Sequence, residues 1–110
     1  MIYLASPYSH ENPAVREYRY QATLAHCAMM IRQGQIVYSP IVHHHPIAKA
    51  YDLPGDFSFW QRICLAMLER ADELHVLCLD GWRQSRGVTA ELAFALKYSI
   101  PHVLVERDDA

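Results

Sequence analysis

The chain has 110 residues, is 52% hydrophobic, carries a net charge of −2 and holds seven histidines, a balance that suits one compact globular domain over residues 1–110. No apolar run approaches the roughly 20 residues needed to cross a bilayer, and the start Met1-Ile2-Tyr3-Leu4-Ala5-Ser6 lacks the charged leader of an export signal, so a cytoplasmic protein with no membrane partner is expected. A slightly acidic balance without a Lys/Arg-rich face argues against affinity built on the many phosphates of a nucleic acid polymer and leaves a small anionic ligand open.

Ile2 to Ala5 is a short apolar run that Ser6-Pro7-Tyr8-Ser9 stops with turn chemistry, which reads as a strand and its exit loop. From Pro13 to Gln33 no Gly or Pro interrupts, and Val15, Ala22, Ala25 and Met29 recur at helical spacing before Gly34, so a long helix is expected. Gln35 to Ser39 is β-rich and ends at Pro40, which reads as a second strand with an exit loop that carries the histidines. After Leu53-Pro54-Gly55, Asp56 is placed to cap a helix whose apolar stripe is Phe57, Trp60, Ile63, Cys64, Met67, Leu68 and Ala71. Leu74 to Leu79 is nearly all apolar, as in a central strand covered on both faces, and Asp80-Gly81-Trp82 ends it. A third helix follows Ser85, and Ile100 to Val105 supplies the last strand. Cys27, Cys64 and Cys78 are odd in number and widely spaced, fitting neither a disulfide framework nor a Cys-x-x-Cys pair, and read as reduced thiols.

Strands alternating with helices imply an α/β fold, a parallel sheet with helices on both faces and right-handed crossovers. Ligands of such sheets bind beyond the carboxyl ends of the strands. Four segments meet that description: Ser6 to Asn12, Ser39 to Pro46, Asp80 to Gly87 and the tail after Val105.

In the third helix Val88, Glu91, Leu92 and Ala95 share one sector, with Leu96 beside them, so Glu91 faces the core side near the carboxyl edge of the sheet. Burial alone raises the pKa of a carboxyl, so an ionised Glu91 needs a donor, and Tyr3 at the neighbouring strand is the candidate. Ser85 is a candidate N-cap. Gly87 opens the first turn to a ligand, and Arg83 and Arg86 add positive charge, which together make an anion pocket. A capped helix with Glu91 in a satisfied core hydrogen bond accounts for the same residues.

The stretches MIYLASPYSH, SPIVHHHPIA, FWQRICLAMLERADELHVLCLDGW and SRGVTAE resemble the nucleoside 2-deoxyribosyltransferase superfamily, and more closely the branch catalogued as domain of unknown function nineteen thirty-seven. The resemblance covers nearly the whole chain. It implies a three-layer α/β/α sandwich of flavodoxin-like or Rossmann-like type, strand order about 2-1-3-4. It further implies that Glu91 attacks the anomeric carbon of a nucleoside and forms a glycosyl-enzyme, with Tyr3 hydrogen-bonded to it. Transferases of the superfamily pass the sugar to another base, and related nucleotide N-glycosidases pass it to water. Transferases acting on free nucleosides carry an aspartate six residues before the nucleophile, whereas the nucleotide hydrolases carry serine. Ser85 stands there, which favours a nucleoside 5′-monophosphate. Members generally complete their sites across a subunit interface, so a homo-oligomer is expected.

One departure matters. Where the superfamily places an aspartate that assists departure of the base, eight residues before Asp72, this chain has Cys64, a weak donor. Three outcomes are open: Asp56 or another group takes over, the base leaves with little protonation, or the protein binds nucleotides without turnover.

His43-His44-His45 invites a metal reading because His43 and His45 share a side of an extended segment, but no third ligand at suggestive spacing accompanies them. The segment reads as a loop lining the substrate cleft, with no metal and no cofactor. Tyr8 and Trp60 are candidates to sandwich a base, Trp60 equally a core residue, and Trp82 a candidate dimer contact. Ser6 and Ser9 of the first loop complete the candidate substrate contacts. Arg16-Glu17-Tyr18-Arg19-Tyr20 reads as a solvated helix face with an arginine able to reach a phosphate.

Overall fold

Side-chain alternation along the first strand sets the layers of the fold. Residues 1–107 are described by a computed structural model, and in them β1 (Ile2–Ala5) lies between β2 (Val37–Tyr38) and β3 (Glu73–Cys78), with β4 (His102–Glu106) beyond β3. All pairings are parallel and the order is β2-β1-β3-β4, the order that the family resemblance implies. Tyr3, Leu4 and Ala5 have no exposed surface, as a strand covered on both faces requires. Tyr3 and Ala5 pack with Leu74 and Val76 against α3 (Phe57–Glu69) and α4 (Arg86–Lys97). Leu4 and Leu77 face the other way, onto Cys27 and Met30 of α1 (Pro13–Arg32). Helices thus cover both faces of the sheet, and all three cysteines are free and buried.

The helices begin where capping chemistry predicts, with corrections to their inner faces. Asn12 caps α1 by accepting from the Ala14 amide at 2.9 Å, with Pro13 in the first turn. The buried line of α1 is Thr23, Cys27 and Met30, while Ala25 and Met29 face solvent, so the expected stripe is rotated. The polar Thr23 pulls the helix round because it has partners inside: its hydroxyl donates to the Arg19 carbonyl at 2.7 Å and meets the Ser6 hydroxyl at 2.9 Å. In α3 the buried line is Trp60, Cys64 and Leu68, and Ile63 is exposed. Asp56 precedes α3 but makes no capping bond there, because its carboxylate accepts from the Ser58 hydroxyl instead. In α4 Val88, Glu91 and Ala95 are buried as expected, whereas Leu96 points to solvent.

The main departure lies after β2. Only Val37 and Tyr38 pair with β1, and Pro40–Tyr51 is a helix, α2, where a loop is expected. Ser39 caps it, its hydroxyl accepting from the Val42 amide at 3.2 Å, and Pro40 sits in the first turn. Ser-Pro is a helix-start signature as well as a strand stop, and the interior Pro46 hides it. Pro40, His44 and Ala48 recur every four residues and are buried, the helical period that three adjacent histidines obscure. At the far side β4 is an edge strand whose Val103 and Leu104 are largely exposed. No helix among the described residues is long and apolar enough to cross a membrane.

Because α2 begins on one hydroxyl, Ser39→Ala should lower unfolding stability by about 1 kcal/mol. Urea denaturation checks the size. Amide hydrogen exchange should show faster opening in the first turn of α2, and an unchanged exchange rate there would contradict the capping role.

Candidate active site

A cavity of about 260 Å³ opens where the loops after β1 and β3 meet α2, α3 and the start of α4. The β1 exit loop supplies Ser6, Tyr8 and Ser9, and α4 with its approach supplies Ser85, Arg86, Gly87 and Glu91. Asp56, Trp60 and Cys64 line it from α3 and its start, and His44 and His45 from α2. The carboxyl edge of the parallel sheet thus holds the polar groups, as this topology dictates. The expected fourth segment does not line the cavity: its Arg107 reaches the Ala22 carbonyl at 3.4 Å, and the tail beyond it lies outside the described residues.

Glu91 is 3% exposed, and its carboxylate accepts a hydrogen bond from the Tyr3 hydroxyl. Burial pushes the Glu91 carboxyl up to about 8, and the Tyr3 bond opposes that shift without cancelling it. The expected donor is therefore present, but its bond does not offset burial enough to return the carboxyl to its ordinary range. Burial also holds the Tyr3 hydroxyl well above its ordinary range, with the Glu91 charge and Cys64 adding to the effect. Cys64 lies beside this pair. Burial, then the Glu91 charge, push its thiol up to about 12, so it is neutral across the working range.

Ser85 caps α4 by accepting from the Val88 amide at 3.1 Å, which leaves its hydroxyl proton available to an incoming anion. Arg86 lines the cavity, whereas Arg83 lies 4.7 Å over the Trp82 ring, outside it. Trp82 is partly buried against the core. A side chain at Gly87 would meet the Phe57 ring at 3.0 Å, so a larger residue there would fit only if that ring shifted by a few tenths of an ångström. Asp56 is held below its usual range by the Ser58 hydrogen bond, which keeps it a carboxylate and unsuited to give up a proton.

The aromatic and histidine residues are arranged differently from the expected sandwich. The Trp60 indole donates to the Pro54 carbonyl at 2.7 Å and stacks on His44 at 4.1 Å, 18° from parallel. It is a fixed wall. His43 is exposed and does not line the cavity, because a helix turns successive side chains by 100°. His44, the middle residue of the three, takes that place. Burial, with His43 adjacent, lowers it to about 4, so it is a neutral ring. Tyr38 is a further residue that sequence reasoning misses: its ring lies 5.9 Å from Tyr3 and its hydroxyl 3.5 Å from His44 Nε2.

His45 joins the β1 loop to α1. Tyr8 Oη lies 2.5 Å from His45 Nδ1, and His45 Nε2 lies 3.1 Å from Glu17 Oε1. The segment 16–20 is thus only partly a solvated face: Tyr18 is exposed, while its neighbours bond to other elements. Arg19 donates to the carbonyls of Ser9 at 3.0 Å and Asp80 at 3.2 Å, and Arg16 donates to that of His10. Both arginines tie loops in place. Gly81 has φ +88 and would place a side chain 2.7 Å from the Arg19 guanidinium, so the strap between the two loops depends on glycine there. No group of three or more His, Cys, Asp or Glu among the described residues could hold a metal ion.

Residues 1–107 match the family described as Domain of unknown function (DUF1937), and the chain belongs to that family. No curated protein matches it.

The buried carboxyl has a measurable cost. Its folded pKa lies above the unfolded value near 4.5, so the unfolded chain releases this proton first. The Glu91 contribution is then fully favourable below about pH 4.5 and is lost as pH rises through about 8. Glu91→Gln removes that dependence. Relative to the natural protein it should gain stability across this window at up to about 1.4 kcal/mol per pH unit. Denaturant melts at pH 5.5 and 8.5 measure it; a difference that does not change with pH would contradict the burial argument.

Proposed function

We propose that this member of the DUF1937 family is a nucleotide N-glycosidase of the nucleoside 2-deoxyribosyltransferase type. Glu91 attacks C1′ of a (deoxy)nucleoside 5′-monophosphate, the base departs, and water releases the sugar phosphate from the glycosyl-glutamate ester. The observation that supports it is a buried carboxyl, held by one tyrosine, lining the same cavity as the amino end of a capped helix. That helix end, the Ser85 hydroxyl and Arg86 offer donors to a 5′-phosphate. An aspartate in place of Ser85 would repel it.

The apolar setting acts on Glu91 in two ways. It disfavours the charged form, and it strips the carboxylate of the water that would blunt its attack. Only the ionised form is a nucleophile, and its share grows tenfold per pH unit below about 8.

A second reading is a nucleotide-binding module without turnover. It draws on Cys64, a neutral thiol where proton donation is wanted, and on a Glu91 that is largely protonated at pH 7. A base-exchange transferase differs from the first reading only in the acceptor, a second base in place of water. A homo-oligomer belongs to the same proposal, and β4, an edge strand with Val103 and Leu104 exposed on its two faces, is the candidate contact for it.

Incubation with a panel of ribo- and deoxynucleoside 5′-monophosphates should liberate free base, and Glu91→Ala should abolish release. The acid limb of kcat/KM should climb tenfold per pH unit and level near pH 8. Tight nucleotide binding without base release would favour the binding module. Exchange of bases with no need for a 5′-phosphate would favour the transferase. An acid limb below pH 5 would rule out Glu91 as the nucleophile in this protonation state.

A further inference from the structure

We infer that Tyr8, His45 and Glu17 form a proton relay that protonates the departing base and later takes a proton from the attacking water, an inference that rests on the glycosidase reading above. Three separate elements bring these residues together. Tyr8 comes from the β1 exit loop, His45 from α2 and Glu17 from α1. The Tyr8 ring lines the cavity. His45 is nearly enclosed, with 10% of its side chain exposed, while the Glu17 side chain is 42% exposed. The line therefore runs from the cavity wall to solvent.

Each member is held in orientation. Tyr20 stacks on the imidazole at 4.1 Å and 23°, and Tyr8 meets it edge-on at 5.5 Å and 78°. Gln21 donates to Glu17 at 2.9 Å, and the Lys49 ammonium lies 3.6 Å from the same carboxylate. These contacts lower the Glu17 pKa, the Gln21 bond foremost, so Glu17 remains an acceptor for Nε2–H. That bond leaves Nδ1 as the nitrogen facing Tyr8, the arrangement in which an orienting carboxylate sets an imidazole against a hydroxyl. The other two acids near the cavity do not serve: Asp56 is held as a carboxylate, and the Cys64 thiol holds its proton up to about 12.

The relay balances. As the C1′–N bond breaks, its electron pair goes to the base, which takes the Tyr8 Oη proton. An imidazolium at His45 passes its Nδ1 proton to Tyr8 and becomes neutral, keeping Nε2–H on Glu17. In the second half water forms the C1′–O bond, the C1′–Glu91 bond breaks with its pair returning to the carboxylate, and the water proton passes through Tyr8 Oη to Nδ1. One water is consumed and the protein ends as it began. Tyr8 is the catalytic residue of the three; His45 and Glu17 act through it.

The alternative role is a strut that merely holds the loop, and leaving-group dependence separates the two. A purine deoxynucleoside 5′-monophosphate needs its base protonated, whereas the N7-methylated counterpart already carries positive charge and loses a neutral base. For Tyr8→Phe, kcat/KM on the ordinary purine should fall about 100-fold, and on the N7-methyl substrate by no more than about twofold over the background rate. Glu17→Gln should shift the same ratio in the same direction, and melting curves of both variants confirm that they fold. An equal loss on both substrates, or full activity of Tyr8→Phe on the ordinary purine, overturns the relay and leaves the glycosidase reading standing. Release of neither base by the natural protein overturns both.

Discussion

A single hydrogen bond across the layer between sheet and helix organises this molecule: the Tyr3 hydroxyl, on the central strand, meets the Glu91 carboxylate on α4. Both side chains lie in a layer otherwise filled by Leu74, Val76, Val88 and Ala95. A carboxyl in such surroundings has one partner and little water, so its proton is held far more tightly than at a surface. The parallel register places this pair next to Leu74 and Tyr38. The environment that disfavours charge at position 91 is also the one in which a carboxylate would be most reactive.

Around that pair the fold fixes the surrounding loops by contacts that come from the other side of the sheet. Arg19 on α1 spans the carbonyls of Ser9 and Asp80, so the loops after β1 and β3 are fastened to each other through one guanidinium. Its planar fork suits carbonyls in two directions at once, which an ammonium would not match. Thr23, one turn along the same helix, reaches Ser6. These bonds hold the cavity mouth on loops that would otherwise be the most mobile parts of the chain.

The helix α2 gives the cavity its remaining wall. Its histidines divide the work by helical phase: His44 lies flat on Trp60 as a neutral ring, His45 bridges Tyr8 and Glu17, and His43 faces outward. Trp60 is held by this stack and by its bond to Pro54, so its face is rigid and its position is set by α2 as much as by α3. Cys64, in the same buried line of α3, puts a small neutral side chain against Tyr3 and Glu91.

The sequence by itself determined the sheet, because continuous apolar runs separated by capped helices leave little freedom in a parallel α/β arrangement. It also placed Glu91 on the inner face of α4, paired it with Tyr3, and made Ser85 a cap, since period and capping are local properties. Only the tertiary structure decided the rest. The segment from Pro40 is helical because the His44 ring packs on Trp60 and Ala48 joins the core, contacts between residues distant in the chain that outweigh the interior Pro46. The inner face of α1 turned toward Thr23 because Ser6 was waiting across the layer. Glu17 reads as a solvated helix residue, and it joins His45 and Tyr8 in one hydrogen-bonded line only where α1, α2 and the β1 loop meet. The protonation of Glu91 likewise depended on how many donors survived burial around it, a sum over the whole fold that no spacing along the chain encodes.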